Sequence, residues 1–166
     1  MKKIIFLDFD GVLQIEKYDN PWMGNAQLKA GYLDRDHHGL LFDFDCVNRL
    51  SQLVELTEAK IVISSSWRFV GVEKMQEMWH ERKLPGEVID ITPIEEDYSN
   101  VGLGTPSRGE CIQYWLDENP VDKYVIIDDS DDMLSQQLPS FVQTEYDKGF
   151  QPEDLKNAIG ILTNKT

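Results

Sequence analysis

Residues 3–13 read KIIFLDFDGVL, an apolar run that stops abruptly at an Asp-x-Asp-Gly segment. A short run of uninterrupted apolar residues is typical of a strand that is buried on both faces of a sheet. Gly11, which follows two acidic residues, indicates a sharp loop at the end of this strand. The segment therefore predicts a first buried strand over residues 4–7, with Asp8 and Asp10 at its carboxyl end.

Two later segments repeat this pattern of a buried strand followed by polar side chains. Residues 60–63 (KIVI) and residues 123–127 (KYVII) are the apolar runs. The polar residues behind them are Ser64 and Ser65 in the first case and Asp128 and Asp129 in the second. Weaker strands are predicted over residues 87–91 and 141–143. The chain thus supplies enough strands for one central sheet.

Helical segments separate these strands. The predicted helices cover residues 44–57 and 73–82, the segment behind residue 107, a short segment after residue 132, and residues 152–162. Two of them begin with recognisable caps, Asp43 before the first and a Ser107–Glu110 capping box before the third. Strands that alternate with helices predict an α/β fold, a three-layer α/β/α sandwich of the Rossmann-like type with a parallel sheet. With no repeat and no linker, the 166 residues are expected to form a single domain.

The chain carries a large excess of acidic residues. It has 30 Asp and Glu against 16 Lys and Arg, which gives a formal net charge of -14. This charge excludes a protein that holds a long polyanion on a broad basic surface, so no extended nucleic-acid footprint is expected. It is compatible with a divalent cation, because clustered carboxylates need one to offset their repulsion.

The cysteines and the N-terminal residues indicate the cellular compartment of the protein. Cys46 and Cys111 give neither a disulfide framework nor the spacing of a zinc site. The N-terminal apolar run ends at Asp8, too early for a signal peptide or a membrane span. We therefore expect a cytoplasmic protein with no membrane contact, and the sequence does not predict its oligomeric state.

The polar strand ends are expected to lie together, because the carboxyl ends of parallel strands meet at the sheet edge where ligands bind. The residues concerned are Asp8, Asp10, Ser64, Ser65, Asp128 and Asp129, joined by Arg108 at the start of a helix. Four carboxylates at close range repel one another, and a hard cation such as Mg²⁺ prefers their oxygen atoms. The pattern predicts a magnesium site at this edge.

This order of motifs resembles the haloacid dehalogenase-like (HAD) phosphohydrolase superfamily. Residues 8–13 (DFDGVL) match its first motif, D-x-D-G-[TV]-[LV], and residues 61–65 (IVISS) match its second, a strand that ends in Ser or Thr. Residues 125–129 (VIIDD) match its fourth, a strand followed by paired acids. Arg108 stands at the basic third motif, where lysine is commoner, and a guanidinium also binds phosphate.

The resemblance implies a Mg²⁺-dependent phosphatase. Asp8 would attack phosphorus and form an aspartyl-phosphate. Asp10 would protonate the leaving oxygen and then deprotonate the attacking water. Magnesium would be held by the Asp8 carboxylate, the Asp10 backbone carbonyl and Asp129, with Asp128 acting directly or through water.

The resemblance also implies which residues bind the phosphoryl group. Arg108 and one of the two serines, Ser64 or Ser65, would contact its non-bridging oxygens as charge redistributes in the transition state. The sequence does not decide between the serines, because strand ends are uncertain by a few residues. A metal or supporting role for Asp131 or Asp132 also stays open.

The substrate is expected to be a phosphorylated molecule: a nucleic acid end, a nucleotide or a small phosphate ester. Residues 14–41, a polar excursion that we interpret as a flap, are too few for a large cap domain, so only a minimal cap is expected. Residues 60–68 (KIVISSSWR) also resemble the small HAD domains of RNA-repair proteins, which favours nucleic acid ends or nucleotides. The alternatives are a small-metabolite phosphatase and a catalytically silent binding module of the same fold.

Some segments have a structural interpretation beside the functional one. Residues 43–45 (DFD) imitate the first motif but are interpreted as a helix cap, since a helical stripe follows. Residues 36–38 (DHH) are similar to the signature of the DHH phosphoesterases, but the other motifs of that family are missing, and we interpret them as a solvated loop. Trp67 and Arg68 suit either the lining of the site or packing, and the serines before them also suit a helix cap.

Overall fold

The computed structural model describes residues 1–15, 35–94 and 105–164. Its strands are β1 (Lys3–Leu7), β2 (Arg35–Asp36), β3 (Gly39–Leu40), β4 (Lys60–Ile63), β5 (Val88–Ile91), β6 (Lys123–Asp128) and β7 (Phe141–Gln143). Its helices are α1 (Phe44–Thr57), α2 (Val72–Glu81), α3 (Arg108–Glu118) and α4 (Pro152–Thr163), with 3₁₀ helices over Ser66–Val70 and Ser135–Ser140. The predicted strands and long helices are confirmed almost to the residue, and the predicted short helix is a 3₁₀ helix.

Part of the sequence lies outside the described residues. This applies to most of the predicted flap over residues 14–41, of which only its two ends are described, and to residues 95–104 of the loop after β5. Among the described helices, none is both long and apolar enough to cross a membrane.

The main sheet formed by the described residues has five parallel strands in the order β5-β4-β1-β6-β7. Leu7 of the central strand is in register with Ile63 of β4 and with Ile127 of β6. The residues that come next at this edge are Asp8, Ser64 and Asp128. Backbone hydrogen bonds from Asp8 to Ile127 (3.1 Å) and from Ser64 to Leu7 (3.0 Å) continue the pairing beyond the strands. The register therefore brings three predicted site residues to one level of the sheet edge.

Helices cover both faces of this sheet. Ile5 and Leu7 belong to a core shared with α1, α2 and α4, whereas Ile4 and Phe6 belong to a core shared with α3. This division follows from the two-residue period of a strand, which sends successive side chains to opposite faces. The helices contribute Leu50, Leu53, Met78, Trp79, Ala158 and Leu162 to the first core and Ile112 and Trp115 to the second. The predicted three-layer α/β/α sandwich is confirmed.

Local sequence fixes the starts of two helices as predicted. The Asp43 carboxylate accepts hydrogen bonds from the backbone N–H groups of Asp45 (3.0 Å) and Cys46 (3.1 Å). Residues 43–45 are therefore a helix cap and not a second copy of the first motif. At α3, the Ser107 hydroxyl accepts from the Glu110 N–H (3.2 Å) and the Glu110 carboxylate accepts from the Ser107 N–H (2.7 Å). This capping box holds the helix start that carries the predicted basic residue.

The expectation of a solvated loop at residues 36–38 holds only for the turn, since His37 and His38 connect β2 to β3 whereas Asp36 belongs to β2. They belong to a small antiparallel hairpin formed by β2 and β3. The Asp36 carboxylate accepts hydrogen bonds from Arg82 Nε (2.9 Å) and Nη2 (2.8 Å). Arg82 is the residue that follows the last residue of α2. The Arg82 side chain is 6% exposed, and its guanidinium lies 4.9 Å from the ring centroid of Phe42. An ion pair with a partner distant in sequence therefore holds the hairpin in place.

We expect Asp36→Asn to lower the free energy of unfolding by about 1–3 kcal/mol, because it leaves the buried Arg82 cation without its partner. The hydrogen bonds from Arg82 hold the pKa of Asp36 well below its ordinary value. A carboxyl whose pKa is lowered by folding stabilises the native state above its unfolded pKa and loses this effect as the pH falls. The difference between wild type and variant in urea denaturation should therefore be full at pH 7 and shrink below about pH 4.

A matched control for this experiment is Glu145→Gln, which removes an ion pair with Lys148 between side chains that are 68% and 54% exposed. Solvent screens exposed pairs of this kind and they contribute little, so a much smaller change than that of Asp36→Asn is expected. If Asp36→Asn were no more costly than Glu145→Gln, the ion pair would not be what stabilises the hairpin.

Candidate active site

Three carboxylates converge at the carboxyl edge of the sheet. Asp8 follows β1, Asp128 ends β6 and Asp129 follows it, and one oxygen of each lies within 4.8 Å of the others. Asp8 is 3% exposed and Asp128 is fully buried. Ionised groups that are buried so closely repel one another strongly. The sequence predicts these residues at one edge of the sheet, and the structure brings all three together.

Arg108 supplies positive charge to this cluster from the first turn of α3. Its Nη1 lies 3.0 Å from Asp8 Oδ1 and 3.0 Å from Asp128 Oδ2. The Arg108 backbone N–H donates to Asp132 Oδ2 at 3.0 Å, which ties the helix start to the loop after β6. Asp132 thus holds a backbone group, and neither it nor the exposed Asp131 belongs to the described carboxylate cluster.

Two glycines allow the backbones around the site to approach closely. Gly11 has a φ of +72°, and a Cβ at this position would lie 2.8 Å from Asp129 Cγ. Gly109 lies next to Arg108, and a Cβ there would come within 2.7 Å of the Leu134 backbone nitrogen. Both distances are shorter than a carbon side chain tolerates, so glycine lets the first-motif loop and α3 close in on the carboxylates.

The Asp10 carboxylate is placed differently from the other three. It is partly buried, and its Oδ2 accepts a hydrogen bond of 3.0 Å from the indole Nε1 of Trp67. Burial, followed by repulsion from Asp8, raises the pKa of Asp10, and the hydrogen bond from Trp67 opposes this effect. The Asp10 side chain is not one of the three clustered carboxylates, which is consistent with a part in proton transfer.

The single positive charge of Arg108 does not balance the negative charges of the three clustered carboxylates. Burial, followed by repulsion from Asp8, raises the pKa of Asp128 to about 7. The same two effects raise the pKa of Asp129. Carboxylate oxygens are the ligands that hard divalent cations prefer, and a cation among them would remove the repulsion. The donor set of Asp8, Asp128 and Asp129 therefore fits a divalent metal ion.

The two candidate serines differ in what their hydroxyl groups do. Ser64 is fully buried, and its hydroxyl has no hydrogen-bond partner among the described residues. The Ser65 hydroxyl accepts a hydrogen bond of 3.3 Å from the Trp67 N–H and caps the 3₁₀ helix that follows. Buried polar groups are almost always paired, so the free hydroxyl of Ser64 suits a ligand.

Arg68, for which the sequence predicts either a site role or packing, fixes the backbone beside the site. It is 5% exposed, and its Nη1 donates to the carbonyl oxygens of Ser64 and Ser65 at 3.0 Å each. Arg68 also donates longer hydrogen bonds of 3.4 Å, from Nε and Nη2, to the carbonyl oxygen of Pro93, two residues after the end of β5. Arg68 thereby fixes the backbone at the end of β4, which carries both serines.

This geometry agrees with the comparison against protein families. A family model described as the HAD domain in Swiss Army Knife RNA repair proteins matches residues 4–155. The chain belongs to this family of HAD domains. The match runs from β1 into α4 and so includes every residue of the site described above. Comparisons with curated proteins and with solved structures gave no significant match.

Proposed function

We propose that this HAD domain is a Mg²⁺-dependent phosphomonoester hydrolase that works through an aspartyl-phosphate on Asp8. The observation that carries the proposal is the convergence of Asp8, Asp128 and Asp129, with oxygens of all three within 4.8 Å. Membership of the HAD family supports the same chemistry. The experiment that tests it is phosphate release from an aryl phosphate, which should require both Mg²⁺ and Asp8.

In the first step, a carboxylate oxygen of Asp8 bonds to phosphorus while the bond from phosphorus to the leaving oxygen breaks. Asp10 gives its proton to that oxygen, so the product departs as a neutral alcohol. In the second step, a water oxygen attacks phosphorus, Asp10 takes the water proton, and the bond between phosphorus and Asp8 breaks. Splitting hydrolysis in this way replaces one difficult displacement by two easier ones.

The residues that would hold the metal are Asp8, Asp128 and Asp129, together with the backbone carbonyl of Asp10. When bound, Mg²⁺ supplies the positive charge that lets an anionic carboxylate approach an anionic phosphate. Arg108 lies 3.0 Å from both Asp8 and Asp128 and is close enough to the nucleophile to bind a non-bridging phosphoryl oxygen as well.

We assign the second phosphoryl contact to Ser64 rather than to Ser65. The Ser64 hydroxyl is buried and has no partner among the described residues, whereas the Ser65 oxygen already accepts the Trp67 N–H, which fixes this side chain in the helix cap. In addition, Ser64 is the residue that the strand register puts level with Asp8. A bound phosphoryl oxygen would give this hydroxyl the acceptor that it lacks.

We expect Ser64→Ala to lower kcat/KM by about 10²-fold, as the loss of one oxyanion donor does. The same change should leave the free energy of unfolding unchanged or slightly higher, because it removes a buried hydroxyl that has no partner. Ser65→Ala is the matched comparison. It removes a helix cap and should cost about 1 kcal/mol of stability. A Ser64→Ala enzyme with full activity would show that the hydroxyl does not bind substrate.

As the substrate class we propose phosphorylated nucleic acid ends or nucleotides. The family description refers to RNA repair proteins, which supports this choice. The net charge of -14 disfavours a long contact with a polyanion but not the binding of one terminal phosphate. The test is a panel of 3′-phosphorylated and 5′-phosphorylated oligonucleotides, free nucleotides and sugar phosphates. A kcat/KM that is highest for sugar phosphates by orders of magnitude would contradict the nucleic acid assignment.

A further inference from the structure

The Trp67 side chain is held rigidly beside the active site. Its ring makes an edge contact with Phe9 (5.6 Å between centroids) and a tilted contact with Phe42 (5.9 Å). The Arg82 guanidinium lies 5.9 Å from the same ring, and a Cβ on Gly39 would be 3.3 Å from its Cη2 atom. The hairpin and the first-motif loop therefore enclose the indole from different sides, and its N–H direction is fixed.

This fixed N–H points at one atom of the proton-transfer residue. Trp67 Nε1 donates to Asp10 Oδ2 at 3.0 Å, across 57 residues of sequence. An indole has a single donor, whereas a carboxyl group has two oxygens. With Oδ2 engaged by Trp67, the proton that Asp10 transfers belongs on Oδ1. The rotation of the Asp10 carboxyl group is thereby set by Trp67.

We propose that Trp67 is a positioning residue that aims Oδ1 of Asp10 at the leaving oxygen of the substrate. The proposal rests on the proposed phosphatase function and adds a residue to it. In the step concerned, the Oδ1–H bond breaks as the leaving oxygen gains the proton, the Asp8 oxygen bonds to phosphorus, and the leaving bond breaks. Without the Trp67 N–H, the carboxyl group loses this constraint on its rotation and presents its proton less often to the leaving oxygen.

The dependence of the rate on the leaving group tests this proposal. An alkyl phosphate needs a proton on its leaving oxygen, whereas 2,4-dinitrophenyl phosphate departs readily without one. The parameter to compare is kcat/KM, because it ends at the first irreversible step, phosphoryl transfer to Asp8, and excludes the later hydrolysis. Trp67→Phe keeps an aromatic ring at this position, smaller than the indole, and removes the N–H. We expect it to lower kcat/KM for the alkyl phosphate by about 10-fold to 10²-fold and for the dinitrophenyl ester by less than about threefold.

Trp79→Phe is the matched control. The Trp79 indole also donates a hydrogen bond of 3.0 Å, but to the Pro85 carbonyl, and its ring is 4% exposed in the core. Removing that N–H should change both substrates by the same small factor. Equal losses on both substrates in Trp67→Phe, or no loss, would overturn the positioning role. An inactive wild-type enzyme would instead overturn the phosphatase proposal itself.

A second measurement does not require a variant of Trp67 to fold. In wild-type protein, the indole N–H proton of Trp67 should resonate downfield because it is bonded to a carboxyl oxygen. Asp10→Ala should move this resonance upfield and leave those of Trp79 and Trp115 in place, since their acceptors are Pro85 and Asp90. If the chemical shift of the Trp67 indole proton were unchanged in Asp10→Ala, this would contradict the hydrogen bond on which the proposal depends.

A different cluster carries an independent inference about metal binding. On the hairpin, His37 Nε2 and His38 Nε2 lie 3.1 Å and 2.8 Å from one oxygen, Oε2 of Glu81 near the end of α2. The three ligand atoms all lie within 4.8 Å of one another. In a tetrahedral zinc site, with bonds of about 2.0–2.1 Å, ligand atoms are about 3.3 Å apart. The two nitrogen–oxygen separations are close to this value, and the third separation, between the two imidazole nitrogens, is no more than 4.8 Å.

We infer that His37, His38 and Glu81 bind a divalent transition-metal ion of the zinc class, distinct from the ion of the active site. Imidazole and carboxylate ligands suit such ions, whereas the all-oxygen cluster around Asp8 suits Mg²⁺. Glu77 lies one helical turn before Glu81, on the same side of α2, where its carboxylate forms an ion pair with Lys74. An ion held here would join the hairpin to α2 beside the Asp36–Arg82 pair.

The test is a competition between the protein and a chromophoric chelator for Zn²⁺, with excess Mg²⁺ present to fill the active site. Wild-type protein should take up one equivalent of Zn²⁺, and His38→Ala should bind it at least about 10-fold more weakly. The chain has three histidines, so His80→Ala is the matched control and should bind as the wild type does. Glu81→Gln, which keeps both imidazoles, guards against a variant that fails to fold. Zinc binding that survives both His38→Ala and Glu81→Gln, or no binding by the wild type, would overturn the assignment.

Discussion

Asp8→Asn is expected to reduce Mg²⁺-dependent phosphate release by at least about 10³-fold. The amide is a poor nucleophile, and it removes one charge from the group that would hold the metal. Asp8 is 3% exposed and lies 3.0 Å from the Arg108 guanidinium, so an amide oxygen at the same place retains a hydrogen-bond acceptor and the fold. The measurement is steady-state turnover of an aryl phosphate with saturating Mg²⁺, with the melting temperature recorded for each protein.

The matched control is Asp45→Asn, which makes the same chemical change in the segment that imitates the first motif. Asp45 lies in the first turn of α1 and is exposed, so its variant should keep wild-type turnover within about twofold. An Asp8→Asn protein that retains a tenth or more of the wild-type rate would show that another group attacks phosphorus.

Removal of the metal is the second change with a large expected effect. Chelation should abolish turnover, since the carboxylates of Asp8, Asp128 and Asp129 then repel both one another and the substrate. Mg²⁺ at about 100 times its dissociation constant should stabilise the fold by about 2.7 kcal/mol. For a chain of this length, that corresponds to a rise in melting temperature of roughly 5–10 °C. The measurement is a thermal melt with EDTA and with increasing Mg²⁺.

The variants Asp129→Asn and Asp131→Asn tell a specific ion from a general salt effect. Asp129 belongs to the carboxylate cluster, whereas Asp131, two residues further on, is exposed and outside it among the described residues. The Mg²⁺-dependent rise in melting temperature should disappear in the first variant and persist in the second. The same rise in both variants would place the ion elsewhere on the protein.

The fold could be predicted from the sequence because each strand and each helix start is indicated by residues that are adjacent in the chain. The uninterrupted apolar runs of β1, β4 and β6 identify strands buried on both faces, and residues next to Asp43 and Ser107 complete their helix caps. Parallel pairing then brings the ends of the strands to one edge, whatever the details of the loops. The positions of Asp8, Ser64 and Asp128 followed from these facts.

What the sequence did not show depends on pairs of residues that are far apart in the chain. Asp36 and Arg82 are separated by 46 positions, and Asp10 and Trp67 by 57. No periodicity links such partners, so a folded hairpin looked like a solvated loop and Trp67 looked as much like packing as like part of the site. The choice between Ser64 and Ser65 had a similar cause. The proposed assignment to Ser64 rests in part on the cap that the Ser65 oxygen forms with the Trp67 N–H, and this cap exists only when the 3₁₀ helix has formed.

Covalent trapping of Asp8 is the most direct test of the proposed chemistry. Wild-type protein turning over an aryl phosphate with Mg²⁺ would be quenched and treated with borohydride, which reduces an acyl phosphate to an alcohol. Peptide mass spectrometry would then locate the reduced residue. The proposed mechanism predicts conversion of Asp8 to homoserine, dependent on substrate and Mg²⁺, with Asp10 unmodified. Rapid turnover with Asp8 left as aspartate under every quench time, or reduction at another acidic residue, would contradict it.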